Sequence, residues 1–93
     1  MMIFNQVNDK ISENGYRRHA STRSMYDETT GTEMKIYDYE HKRKLDMFSV
    51  YVNEFGGVET VEFTKVDFNR ETKKYSQSVK VITNINELNR ALA

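Results

Sequence analysis

The sequence predicts an α+β fold: a helix, an antiparallel meander of four or five strands, and a second helix, with both helices packed on one face of the sheet. Three observations lead there. Two apolar-rich runs flank Gly56-Gly57 within Leu45 to Val66, and a Gly-Gly pair between alternating runs is a strong hairpin signal. Apolar residues recur with helical spacing at both ends of the chain. The chain has no Pro, six Tyr and five Phe, a composition that suits strands rather than disorder.

The first helix is expected over Met2 to Asn14. Ile3, Phe4, Val7 and Ile11 line one helical face, Asn5, Gln6, Asp9, Lys10 and Glu13 fill the rest, and Gly15 stands where a left-handed C-terminal residue is wanted. The polar face is not rich in Lys or Arg, which argues against a membrane-surface helix. A first strand follows from about Arg18 to Asp27, then a short loop at Thr29-Thr30-Gly31 with Gly31 in the left-handed region. Glu33 to Glu40 alternates and forms the second strand. His41 to Lys44 is a polar turn, the arms of the Gly-Gly hairpin are strands three and four, and Asp67 to Lys74 is a second turn region. Tyr75 to Thr83 is the fifth strand. Asn84 has N-cap chemistry for a last helix, Ile85 to Leu92, whose Ile85, Leu88 and Leu92 share a face.

The hairpin sets a register for the sheet, because a one-residue slip moves every side chain to the other face. A two-residue loop pairs Phe55 with Val58, Val52 with Val61 and Val50 with Phe63. Folding the neighbours back sets Ile36 against Val50, Val61 against Val81 and Glu62 against Lys80. One face then carries Met34, Ile36, Phe48, Val50, Val52, Val61, Phe63, Val79 and Val81, and the helices should cover it. The other carries Tyr37, Tyr39, Leu45, Met47, Tyr51, Val66 and Phe68 among polar residues. Exposed Tyr and Val are common on sheets. A contiguous patch containing Tyr and Met is also what a contact surface looks like.

Ninety-three residues make one small domain, residues 1–93, and the fourteen basic and fourteen acidic residues leave no formal net charge. That disfavours both a strongly basic nucleic-acid binder and an acidic mimic of nucleic acid. A mean hydropathy of −0.77 points to a modest core and a very polar surface. The absence of Cys excludes disulfides and thiolate metal sites and is compatible with the cytoplasm, the expected location. No run reaches transmembrane length and no signal-peptide pattern opens the chain.

Charge is nonetheless polarised along a meander. One end gathers Arg17, Arg18 and His19 with Lys42, Arg43, Lys44, Arg70, Lys73 and Lys74; the other gathers Asp27, Glu28, Glu33, Glu54 and Glu59. Turn charges are often merely solvated, and Asp67 and Glu71 dilute the basic end. A basic end can also meet phosphates or an acidic protein surface. Asp38, Glu40 and Lys42 resemble the strand-end carboxylates and lysine of a metal-dependent nuclease. Asp38 and Glu40, however, share a strand face that His41 does not, which argues against a metal cluster of the three. Two histidines, His19 and His41, near arginines could act on a phosphodiester. No phosphate loop, nucleophile elbow or triad is present.

The resulting expectation is a non-enzymatic protein-binding module with no catalytic residue, cofactor, metal or small-molecule ligand. It acts on itself or on a foreign protein through the Tyr/Met face, the basic end, or both. A composition rich in Lys, Asn, Ile, Tyr and Glu suits a phage or mobile-element accessory protein that modulates a host protein, for example one of its defences. The alternative is a nucleic-acid-binding protein using the basic end, because cations and aromatics interleave over Tyr37 to Lys44. A nuclease ranks third.

Overall fold

A computed structural model describes residues 2–93. It is a curled antiparallel sheet with two helices, of the α+β class. In chain order the elements are β1 (Met2–Ile3), α1 (Phe4–Glu13), β2 (Tyr16–Arg18), β3 (Arg23–Asp27), β4 (Thr32–His41), β5 (Met47–Val52), β6 (Gly57–Asn69), β7 (Lys74–Ile82) and α2 (Ile85–Leu92). The sheet runs β1-β6-β5-β4-β2, with β3 also on β4 and β7 also on β6. It is therefore five strands wide: β2 and β3 share one edge of β4, and β1 and β7 share one edge of β6.

Most element boundaries follow from local chemistry. Gly15, at φ +92°, ends the turn after α1, and a Cβ there would stand 2.9 Å from His41 Nε2, so only glycine fits. Asn84 Oδ1 accepts the Glu87 N–H at 2.9 Å and caps α2. The expected first helix is shorter, because Met2 and Ile3 pair with Val58 and Gly57 as a strand before the helix begins. The expected first strand is two strands. The His19 N–H still donates to the Asp38 carbonyl at 2.8 Å, and residues 20–22 then leave the ladder before Arg23 rejoins it opposite Ile36.

The central hairpin closes differently from a two-residue Gly-Gly turn. Asn53 pairs with Gly57, its Oδ1 accepts the N–H groups of Phe55 and Gly57 at 2.9 Å each, and only Gly56 has positive φ. The loop is thus three residues, Glu54 to Gly56, a common hairpin form with its last residue left-handed. Phe55 projects at its tip rather than pairing with Val58, which faces Val52 instead.

The resulting register is Val50 with Val61 and Phe48 with Phe63. This lies two residues from the expected one, so both arms keep their faces. An irregularity between Tyr51 and Val52 lets Val58 join Val61 on the core side. Two other registers differ by one residue, and there the faces exchange. Tyr37 lies opposite Val50 and Tyr39 opposite Phe48. Val61 lies opposite Ile82 and Glu62 opposite Val81, so Lys80 faces Phe63 and not Glu62. The expectation that Tyr37 and Tyr39 point away from the core cluster, and that Met34, Ile36, Val79 and Val81 point into it, is overturned; Ile36 is buried as expected, but on the other side of the sheet.

The causes are visible. β4 is apolar on both faces, so alternation alone does not orient it, and its aromatic side is the one that meets α1. Phe4 lies 4.6 Å from Tyr37 and Phe48 4.8 Å from Tyr16, ring centre to ring centre. In the β6–β7 turn, Lys73 at φ 57° adds a loop residue, so Asn69 pairs with Lys74. The core cluster contains Val7 and Ile11 of α1 and Leu88 of α2 together with Tyr16, Tyr39, Phe48, Val50, Val52, Val58, Val61 and Ile82. β6 and β7 continue past β5 as a two-stranded arm, and the molecule measures 48 × 27 × 25 Å. Among the described residues no helix is long and apolar enough to cross a membrane.

Candidate functional site

The side of the sheet opposite the core cluster is built in rungs. Ile36, Tyr51 and Thr60 form one; Asp38, Ser49, Glu62 and Val81 the next; Glu40, Met47, Thr64 and Val79 the third. Beyond these, Val66 pairs with Gln77 and Phe68 with Tyr75 on the arm. Period-two alternation puts all of these side chains on one face.

The face divides chemically. Toward β3 lies a polar clamp. Asp38 is buried; Arg23 donates to both of its carboxylate oxygens, Nε to Oδ2 at 2.6 Å and Nη2 to Oδ1 at 2.7 Å, and Ser49 Oγ donates to Oδ1 at 2.7 Å. The Arg23 guanidinium, then Ser49, hold the Asp38 carboxyl below its ordinary pKa despite the opposing effect of burial. Tyr51 lies beside this clamp, its phenol pushed up by burial and by Glu62. The Arg23–Asp38–Ser49 group was not singled out from sequence. Its signal would have been the pairing of β3 with β4, which periodicity does not show.

Along β7 the face is apolar and open. Val79 and Val81 are each 55% exposed, Tyr75 65%, Phe68 50% and Met47 37%. Phe68 and Tyr75 pack together at 4.8 Å between ring centres while remaining exposed to water. β7 bonds only β6 among the described residues, so its other edge carries unpaired N–H and C=O groups along nine residues.

The residues expected at an interface are thus separated. Met47, Tyr51, Val66 and Phe68 share the open face. Leu45 lies exposed in the β4–β5 turn. Tyr37 is half-buried against Phe4, and Tyr39 is fully buried with its hydroxyl donating to Asn8 Oδ1 at 2.7 Å. Burial lifts the Tyr39 phenol to about 12, against a smaller lowering by Arg18. Tyr75, Val79 and Val81 belong to the open face in their place.

The basic residues are likewise spread over three locations. Arg17 lies 3.7 Å from Glu40, and the Arg18 guanidinium lies over Tyr37, 5.3 Å from the ring centre. Lys42, Arg43 and Lys44 form the β4–β5 turn, where His41 Nδ1 accepts the N–H groups of Arg43 and Lys44 at 2.9 and 3.1 Å. Arg70, Lys73 and Lys74 stand at the tip of the arm, five rungs past Thr64–Val79, a distance of about 17 Å at strand spacing. His19 Nε2 is 3.2 Å from Glu40 Oε2 without hydrogen-bond alignment. Of the nuclease-like set, Asp38 is occupied by Arg23 and Ser49, and Glu40 faces Arg17 and His19. No group of three or more His, Asp or Glu suited to a metal occurs among the described residues. No family model, curated protein or solved structure matches the chain.

Proposed function

We propose that this chain is a non-enzymatic protein-binding module that works through the open side of its sheet along β7. The observation that carries the reading is the exposure of Val79 and Val81, 55% each, on a strand that forms an open edge of the sheet. Phe68, Tyr75 and Met47 extend the same strip. Small domains rarely leave a contiguous apolar strip in water without a use, and covering it releases roughly 25 cal/mol per Å² of apolar surface. The reading takes both helices to cover the other face. The shared core of Val7, Ile11 and Leu88 supports that arrangement, which leaves this side free for a partner. The Arg23–Asp38–Ser49 clamp supports a structural rather than a catalytic role for the buried carboxylate, since its oxygens are already bonded. A small accessory protein that modulates a larger one, as phages and mobile elements encode, fits this reading on composition.

The test is a double substitution, Val79→Ser with Val81→Ser, checked for an unchanged fold by circular dichroism and then compared with the parent in retention of protein partners. Loss of a partner that the parent holds supports the reading. Equal retention by both removes it.

A second reading has its own observation. Arg70, Lys73 and Lys74 cluster at the tip of a two-stranded arm, and a two-stranded ribbon fits the major groove of duplex DNA. Binding that weakens steeply with salt and drops on Lys73→Ala/Lys74→Ala supports it; salt-independent or absent binding eliminates it.

A further inference from the structure

We infer that the partner taken up by β7 is the β7 strand of a second copy of this chain, paired antiparallel about a two-fold axis at Ser78. The inference rests on the protein-binding reading and names its partner. Three features of the strand favour a copy of itself over a foreign strand.

The first is register. Among antiparallel self-pairings, the one centred on Ser78 overlaps the full strand, Lys74 to Ile82. It sets Tyr75 opposite Val81 of the other copy and Gln77 opposite Val79, so the exposed Tyr75 and Val81 side chains cover one another across the seam, once on each side of the axis. The same register places Lys80 opposite Ser76 and Lys74 opposite Ile82. Shifting the axis by one residue toward the arm sets Lys74 against Lys80, and shifting it by two the other way sets Lys80 against Lys80; like charges directly opposite are unfavourable. The full-overlap register avoids both clashes; an axis at Val79 avoids them too but leaves Lys74 and Tyr75 beyond the end of the partner's strand.

The second is charge. Lys74 lies on the same side of the sheet as Ile82, the side of the core cluster. Next to Ile82, Thr83 Oγ1 donates to Glu87 Oε1 at 3.2 Å, so the Glu87 carboxylate is held beside the end of β7. Self-pairing brings Lys74 and Lys73 of each copy to Glu87 of the other, twice over by symmetry.

The third is the backbone at the arm tip. Lys73 occupies the left-handed region at φ 57°, a conformation that glycine adopts without cost. That turn places the Lys73 charge directly before Lys74, so in this register both ammonium groups stand at the end of β7 that meets the neighbouring copy's Glu87.

The chain has no cysteine, so single cysteines report geometry without background. Under mild oxidation Ser78→Cys forms a covalent dimer, because residue 78 faces itself across the axis. Ser76→Cys does not, because its counterpart lies four residues away along the strand. Sedimentation of the parent rises with concentration toward twice the 11.0 kDa chain mass. Lys74→Glu weakens this association at least tenfold, and adding Glu87→Lys restores it. A parent that stays at 11.0 kDa at every concentration, or cross-linking of Ser76→Cys as fast as Ser78→Cys, overturns the inference. The protein-binding reading survives that outcome if Val79→Ser/Val81→Ser still costs the chain a foreign partner, and falls with it otherwise.

Discussion

Asp38 is a buried carboxylate with an exposed partner: its side chain is 12% exposed, that of Arg23 56%. Removing Arg23 leaves a buried charge with Ser49 alone. Arg23→Ala is therefore expected to lower stability by roughly 2 kcal/mol at neutral pH, less than for a fully buried pair because water already reaches the guanidinium. Because Asp38 titrates below its ordinary value of 3.8, the stabilisation is complete above that value and is lost as pH falls through the lower folded one. The gap between parent and Arg23→Ala in urea unfolding should close as the pH drops below 3.8. Tyr39 has the opposite sign. Its phenol titrates near 12 in the fold against 10.0 when free, so its contribution holds below pH 10 and disappears as pH rises toward 12. Tyr39→Phe should cost about 1 kcal/mol at neutral pH through the lost bond to Asn8, and it should flatten the alkaline limb of the stability profile. Neither residue's role is legible from the sequence. Tyr37-Asp38-Tyr39 alternates with either face inward, and the outcome depends on the loop that joins β4 to β5.

At the scale of elements, local signals carried further. Ile85–Leu92 is the helix its apolar spacing predicts, and its cap is the expected Asn84. Asn84→Ala should lower stability by about 1 kcal/mol, read from thermal unfolding. Gly15 and Gly31 take the left-handed conformations that their positions at a helix end and a hairpin loop imply. Turns set by side chains were harder to read. Asn53 organises the central hairpin, Asn69 Oδ1 accepts the N–H groups of Glu71 and Thr72 at the arm tip, and Lys73 adds the residue that shifts β7 by one. A single loop residue thus moved Val79 and Val81 from the interior to the surface. The arm beyond Val66 lies outside the core cluster, and Phe68–Tyr75 is its one aromatic pair. Phe68→Ala should leave global unfolding within about 0.5 kcal/mol of the parent, while the amides of Asp67 to Ser76 exchange faster with solvent.

For the whole molecule, the class of fold was readable because two amphipathic helical stretches and several alternating strands leave few ways to bury apolar surface. The composition of each face was readable only in part. The arms of the central hairpin kept their sides, because their register was off by an even number of residues; β4 and β7 changed sides, because theirs was off by one. The expected Tyr/Met surface accordingly becomes a Val and Tyr strip on β7 bordered by Phe68 of β6 and Met47 of β5, and the expected basic end becomes three groups, one of them on the arm. The fold places Tyr75, Val79 and Val81, a free backbone edge and Lys74 of the charged arm tip along one strand, β7.

Amide hydrogen exchange along β7, followed residue by residue over a concentration series, tests that placement most directly. Every second amide of Lys74–Ile82 bonds β6 and the alternate ones point to the free edge. If β7 is the contact strand, the edge-pointing amides slow by roughly tenfold or more as the protein is concentrated, while amides of β2 and β3, at the opposite edge, keep their rates. Edge amides of β7 that exchange equally fast at every concentration, or slowing at β2 and β3 in their place, would contradict it.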